Sequence, residues 1–196
     1  MKSLHRPDLF AWSRFDEARN LDFNSLAWAR PGGNVLVDPL PLSAHDEEHL
    51  KKLGGAAWIV ITNSEHLRDA ARLKSLFGAK LAGPAAERGV FEADRWLKNG
   101  EELVGGLKAF ELDGSKTPGE LALLLEETTL ITGDLIRAQR AGSLNLLPDA
   151  KLRDKTAALA SVRRLAELPR VDAVLVGDGW PVFHDGARAL QALVSA

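Results

Sequence analysis

The chain contains no cysteine. Disulfide bonds and thiolate metal sites are therefore excluded, and the redox compartment is left open. Charge of one sign is also scarce. Lys and Arg number 25 against 27 Asp and Glu, a formal net charge of −2. Nothing in that balance favours nucleic acid or an anionic membrane as a partner. No apolar run approaches the ~20 residues needed to span a bilayer. The opening MKSLHRPDLFAWSRF has no uninterrupted apolar core of the kind a secretory signal needs. A cytoplasmic location is the expectation. No Gly-x-Ser-x-Gly elbow supports a serine hydrolase, and no glycine-rich phosphate loop ends in Gly-Lys-Ser/Thr. Short repeats, low-complexity stretches and internal linkers are absent as well.

What is present suits one soluble domain over 1–196, with 45% apolar residues and enough length for a substantial core. Phe10 to Phe15 and Leu21 to Arg30 alternate at about period two, with Trp12 and Trp28 as anchors. They read as two strands, and Asn34 to Asp38 as a third in an antiparallel meander. Ser43 with Asp46 three residues later opens a helix that runs to about Leu53 and stops at Gly54-Gly55. Trp58 to Thr62 is a buried strand, Glu65 to Phe77 a helix closed by Gly78, and Ala79 to Ala82 a short strand. A short helix around Pro84 to Arg88 and a strand near Trp96 follow. Strands are expected at Leu107 to Leu112, Leu121 to Leu125 and Thr129 to Thr132. Arg137 to Lys151, with Gly142 and Pro148, reads as a loop over the site. Leu152 to Leu168 is the longest helix, Val171 to Val176 a strand, and Asp185 to Val194 the last helix.

Three of these apolar strands end at polar clusters: Asn63-Ser64-Glu65-His66, Gly133-Asp134, and Gly177-Asp178-Gly179. If the strands are neighbours, their ends build one pocket. His45-Asp46-Glu47-Glu48-His49 places two histidines four apart on a helix. It is densely charged, has Asp where a His-Glu-x-x-His site needs Glu, and has no third ligand, so it reads as a solvated face. His184-Asp185 reads as the cap of the last helix.

Five segments in chain order carry a resemblance. They are Gly33-Asn34-Val35-Leu36-Val37-Asp38, Thr62-Asn63-Ser64-Glu65-His66-Leu67-Arg68, Ser115-Lys116-Thr117-Pro118-Gly119, Thr132-Gly133-Asp134, and Gly177-Asp178-Gly179. They resemble, in order, the strand-Asp, Thr-His-x-His-x-Asp-His, Gly-His-Thr-Pro-Gly, Ser/Thr-Gly-Asp and Gly-His-Gly signals of the metallo-β-lactamase-fold hydrolase superfamily. The resemblance runs from about Phe10 to Leu193. It implies an α+β fold, the αββα four-layer sandwich, and a hydrolase of a small ester, amide or similar substrate.

The departures define the site. Where the family has metal-ligating His and Asp, this chain has Asn63, Glu65, Leu67, Arg68, Lys116 and Asp178, and only Asp134 is kept. Leu67 ligates nothing, Arg68 stays protonated, and Lys116 binds metal only after losing its proton. An imidazole-rich zinc site has gone. Family geometry implies that Glu65, Asp134 and Asp178 converge with Asn63, Arg68 and Lys116. The plain reading is a retired active site kept only for structure, since buried ion pairs also persist without catalysis. Three further readings follow. Lys116 and Arg68 replace the metals electrostatically, so that no cofactor is needed. Alternatively, Glu65, Asp134 and Asp178, with oxygen from Asn63, hold one divalent ion, with Mg²⁺ or Mn²⁺ suiting oxygen ligands better than Zn²⁺. In the third, Lys116, Arg68 and Asn63 bind an anionic small molecule, with the Gly133 and Gly177 turns letting it approach backbone. His66 is the best general acid or base by residue type, although a histidine at a helix start also commonly faces solvent. The candidate catalytic set is Glu65, His66, Lys116, Asp134 and Asp178. An ammonium of Lys116 hydrogen-bonded to Asp134 or Asp178 would argue against hydrolytic metal chemistry.

Overall fold

The structure, a computed structural model, describes residues 1–195. The first sheet holds β1 (Lys2–Ser3), β2 (Leu9–Asp16), β3 (Leu21–Trp28), β4 (Val35–Val37), β5 (Trp58–Val60), β6 (Lys80–Pro84) and β7 (Arg95–Leu97), in that spatial order. β2 to β4 form the expected antiparallel meander, β1 adds an unexpected antiparallel edge to it, and β4 to β7 run parallel. The second sheet comprises β8 (Glu102–Val104), β9 (Leu107–Leu112), β10 (Glu120–Leu125) and β11 (Thr129–Thr132). After a separate hairpin of β12 (Ile136–Arg140) and β13 (Ser143–Leu146), β14 (Ala173–Val176) joins its far edge, parallel to β11.

Side-chain alternation divides the interior into three layers. Leu121, Leu123 and Leu125 of β10 face the first sheet, where they meet Leu26, Val35, Val37 and Val60. Ala122 and Leu124 face the other way, onto α3 (Lys155–Ala166) and α4 (Gly186–Ser195). Leu36 and Ile59 likewise turn outward onto α1 (Ala44–Lys52) and α2 (Ala70–Phe77). Strands buried on both faces need apolar residues on both, which is why β10 reads Glu-Leu-Ala-Leu-Leu-Leu without polar interruption after its first residue. The layers run helix, sheet, sheet, helix, as the resemblance implies. No helix among the described residues is long and apolar enough to cross a membrane.

Local chemistry sets the ends of the elements. Ser43 Oγ accepts from the Asp46 amide at 3.1 Å and starts α1. Gly78 takes a left-handed φ of 65° and ends α2. Three expectations need correction. Arg137 to Lys151 is not a loop: it contains the β12–β13 hairpin, whose inner side packs Ile136 and Ala138 against the second sheet. The helix expected from Glu65 is broken, because Arg68 adopts a φ of 40° between a 3₁₀ turn at Ser64–His66 and α2. Helical spacing survives that break, so the pattern alone does not reveal it. The strand β8 lies in a charged stretch where the sequence pattern predicts none.

Cutting back one fully buried side chain between the sheets tests this layering. Leu123→Ala is expected to lower the unfolding free energy by about 2–5 kcal/mol in chemical denaturation. Leu76→Ala, on the exposed side of α2, is expected to change it by less than roughly 0.5 kcal/mol.

Candidate functional site

The site lies where parallel strands of both sheets end. Thr132 of β11 pairs with Val176 of β14, so Asp134 and Asp178 leave adjacent strands in equivalent positions. Val37 of β4 pairs with Val60 of β5, which sets Asp38 beside Thr62. The sheets are laced together at this end: the Leu121 amide donates to Thr62 O at 2.8 Å, and the Asn24 amide to Gly177 O at 2.8 Å. A cleft of about 570 Å³ opens over the strand ends.

Asp134 is the centre, only 1% exposed. Its Oδ2 accepts from Asn63 Nδ2 at 2.9 Å and lies 3.0 Å from Lys116 Nζ and 3.4 Å from His66 Nε2. Its Oδ1 lies 3.4 Å from Arg137 Nη2. Burial pushes this carboxyl upward, but His66 and Lys116 outweigh it and hold the pKa well below the ordinary range. Lys116 also donates to Glu65 Oε2 at 2.5 Å, on the exposed side of the cleft. Burial works against the ammonium, but Asp134 and Glu65 prevail and raise its pKa.

His66 is buried rather than solvent-facing. Its Nδ1 lies 2.8 Å from Asp38 Oδ2. Asp38 also takes the Thr62 hydroxyl at 2.5 Å and the Thr62 amide at 2.7 Å. Burial lowers the imidazole pKa, yet Asp38 and Asp134 overcome it and raise it to about 10. The ring is an imidazolium between two carboxylates at neutral pH. Glu120, beneath the site, is held by the Ser115 hydroxyl and the Leu135 amide. Burial and the nearby Asp134 push its pKa up to about 7.

Asp178 pairs with Arg137, which belongs to the segment the sequence pattern assigns to a loop. Burial raises the Asp178 pKa, Arg137 opposes that, and Asp134 adds to it. Arg137 Nε and Asp178 Oδ1 are both buried and have no partner among the described residues, so the pair meets at one point. Arg68 does not take the bridging role expected of it. Its Nη1 donates to the carbonyls of Asn24 and Asp38 at 2.8 and 2.9 Å, and the guanidinium stands 5.6 Å from the Phe23 ring centre. A signal for Arg137 is present in the sequence: one arginine between Ile136 and Ala138 in an apolar stretch three residues after Asp134. The Gly133 and Gly177 expectation is also corrected. A Cβ at Gly133 would lie 2.7 Å from Thr62 Oγ1, and one at Gly177 3.2 Å from His66 Cε1, so these glycines admit neighbouring side chains rather than ligand.

The resemblance implies a metal ion here. Among the described residues His66, Asp134 and Asp178 form the one group of metal-type donors, their ligand atoms within 4.8 Å of one another. Glu65, expected in that group, faces Lys116 instead. The donors are already engaged: Asp134 by Lys116 and Asn63, Asp178 by Arg137, and His66 by Asp38. An ion would have to displace two covalently tethered cations. The residues do not fit the family's metal pair. The two helix histidines of α1 stay apart from the site, and His49 packs edge-on against Phe10.

Removing one member of a buried pair leaves the other charge without compensation. Arg137→Ala is expected to lower the unfolding free energy by about 3–5 kcal/mol, measurable by urea titration. The pH dependence has a definite sign. The His66 pKa is raised on folding, so its contribution is complete below the unfolded value of 6.5 and disappears as pH rises to about 10. The Asp134 pKa is depressed, so its contribution is present above the unfolded 3.8 and disappears as pH falls below it. Glu120, raised to about 7, and Asp178, also raised, likewise contribute most below their unfolded values and lose that contribution as pH rises. Melting temperature is therefore expected to peak on the acid side of neutrality, to fall below pH 3.8 as Asp134 takes a proton and to fall again as pH rises toward 10. His66→Asn is expected to flatten the alkaline limb.

The whole chain, residues 1–196, matches the family model described as the metallo-beta-lactamase superfamily. Comparison with curated proteins gives no match. Solved structures share the fold at low identity. The metallo-beta-lactamase from Pontibacter korlensis superposes with a TM-score of 0.74 at 16% identity, covering 98% of this chain and 97% of that one. A metallo-beta-lactamase family protein from Thermus thermophilus gives 0.72 at 20%, covering 97% and 79%. The mono-zinc form of the FIM-1 enzyme from Pseudomonas aeruginosa gives 0.71 at 17%, covering 95% and 90%. With the family model spanning the whole sequence, the chain belongs to the metallo-beta-lactamase superfamily.

Proposed function

We propose that this protein is a hydrolase of a small anionic ester or amide, working in this cleft with protein-borne cations in place of a metal pair. One observation carries the reading. Asp134, Lys116 and Glu65 form a chain from the buried centre to the cleft, with contacts of 3.0 and 2.5 Å. It sets a carboxylate and a fixed ammonium side by side at the solvent-accessible end. A substrate carbonyl placed on Lys116 Nζ would find its developing oxyanion matched by a charge already oriented by Asp134. Glu65 would take a proton from water as the water oxygen attacks the carbonyl carbon. The proton then passes to the leaving oxygen or nitrogen as its bond to carbon breaks. His66 and Asp38 hold Asp134 in place and do not touch substrate. Arg137 and Asp178 form the far wall.

A second reading has its own support. Arg68 is oriented by two carbonyls and has no carboxylate partner among the described residues, which suits a receptor that binds an anion without turning it over.

Steady-state hydrolysis of a panel of carboxylate-bearing 4-nitrophenyl esters and anilides separates these readings. Glu65→Gln is expected to lower kcat/KM by about 100-fold or more, and Lys116→Met by a similar factor. Chelator and added Zn²⁺ are expected to leave the wild-type rate unchanged. Activity that appears only on zinc loading would overturn the metal-free chemistry. Binding of panel members without turnover would leave the receptor reading standing.

A further inference from the structure

We infer that the mouth of the cleft is a clasp for a doubly charged phosphate-type group carried on a partly planar apolar molecule. The inference rests on reading this cleft as the functional site and names the class of molecule it takes. Six basic side chains line the cleft against four acidic ones, His66 aside. The inner charges are already matched: Lys116 with Asp134 and Glu65, and Arg137 with Asp178. Asp16 faces Arg19 at 3.5 Å in an exposed pair. Among the described residues the remaining cations, Arg14, Arg68 and Lys151, make no salt bridge.

These three come from separate parts of the chain: β2, the turn after β5, and the 3₁₀ turn after β13. All three line the same cleft. Arg68 is the most constrained. Its backbone takes a left-handed φ of 40°, unfavourable for a residue with a Cβ, and two carbonyls hold its guanidinium in place. A preoriented guanidinium without a salt-bridge partner, sharing one cleft with two further such cations, is better answered by two negative charges than by one. Oxygen atoms of a tetrahedral anion also suit a guanidinium's planar donors. Beside this group the cleft has an apolar shelf. Phe15 is 54% exposed, and Phe23 lies under both Arg19, at 5.4 Å, and Arg68, at 5.6 Å. A volume of about 570 Å³ accommodates a small molecule with both parts.

The experiment is calorimetric titration of the full chain with phenylphosphonate and with benzenesulfonate, at a mildly alkaline pH where the first carries two charges and the second one. The two are close in shape, and neither presents an ester or amide to hydrolyse. Phenylphosphonate is expected to bind at least about tenfold more tightly, with an affinity that falls as salt is added. The double variant Arg14→Ala/Lys151→Ala, at exposed positions that leave the core intact, is expected to remove most of that preference. Arg68→Met is expected to weaken both ligands. Equal affinity for the two, no binding, or an unchanged preference in the double variant would overturn the clasp. Because binding is read without turnover, a protein that binds phosphonate but cleaves no ester would sink the hydrolase reading alone.

Discussion

A buried carboxylate at Asp134 governs this molecule. Removing an ion from water costs several kcal/mol even after relaxation. A single cation 4 Å away returns roughly 4 kcal/mol at an effective dielectric constant near 20. One partner therefore barely balances the loss, and Asp134 has several: Lys116, His66, Arg137 and the Asn63 amide. They arrive from the turn after β5, the turn after β9 and the start of β12. Compensating one charge thus obliges three segments, one from each large sheet and one from the separate hairpin, to converge. The backbone bonds that lace the sheets together at this end serve the same convergence.

Under the function proposed above, exchanging ions for side chains would alter what the pocket can do. A bound divalent metal lowers the pKa of coordinated water and supplies a nucleophile near neutrality. An ammonium or guanidinium orients and neutralises charge but provides no such hydroxide. Tethered cations also restore balance only in fixed positions. Backbone beside the carboxylates takes sparsely populated left-handed conformations, at Asp38 with φ 48° and at Arg68 with φ 40°, both outside the regular elements. Packing is also close at Gly133 and Gly177. Room for Thr62, Glu120 and His66 around the central carboxylate exists only where two Cβ atoms are missing.

Much of the fold is legible in the residues. Strands buried on both faces leave uninterrupted apolar runs, and the runs ending at Thr62, Thr132 and Val176 stand out for that reason. Ser43 and Gly78 announce helix ends because their local chemistry works without distant partners. The charged stretch before Leu107 and the segment from Arg137 to Lys151 are not legible, since β8 and the β12–β13 hairpin depend on what they pack against. Of the residues expected at the site, Glu65, His66, Arg68, Lys116, Asp134 and Asp178 line the cleft and Asn63 holds Asp134 from behind, but Glu65 stands on the exposed side and Arg68 is tied to backbone carbonyls rather than to a carboxylate.

The sequence by itself determined the order of apolar strands, the loss of the imidazole ligands, and the set of charges available to replace them. These are properties of residue type and spacing, which the chain carries before it folds. Only the tertiary structure decided which cation meets which anion. Arg68 and Arg137 are chemically equivalent on paper. A left-handed residue turns the first toward the carbonyls of Asn24 and Asp38, and a strand pairing with Leu146's neighbour Asn145 carries the second onto Asp178. Coulomb energy in a dry interior depends on separations of a few ångströms. Those separations are set by packing between segments remote in the chain.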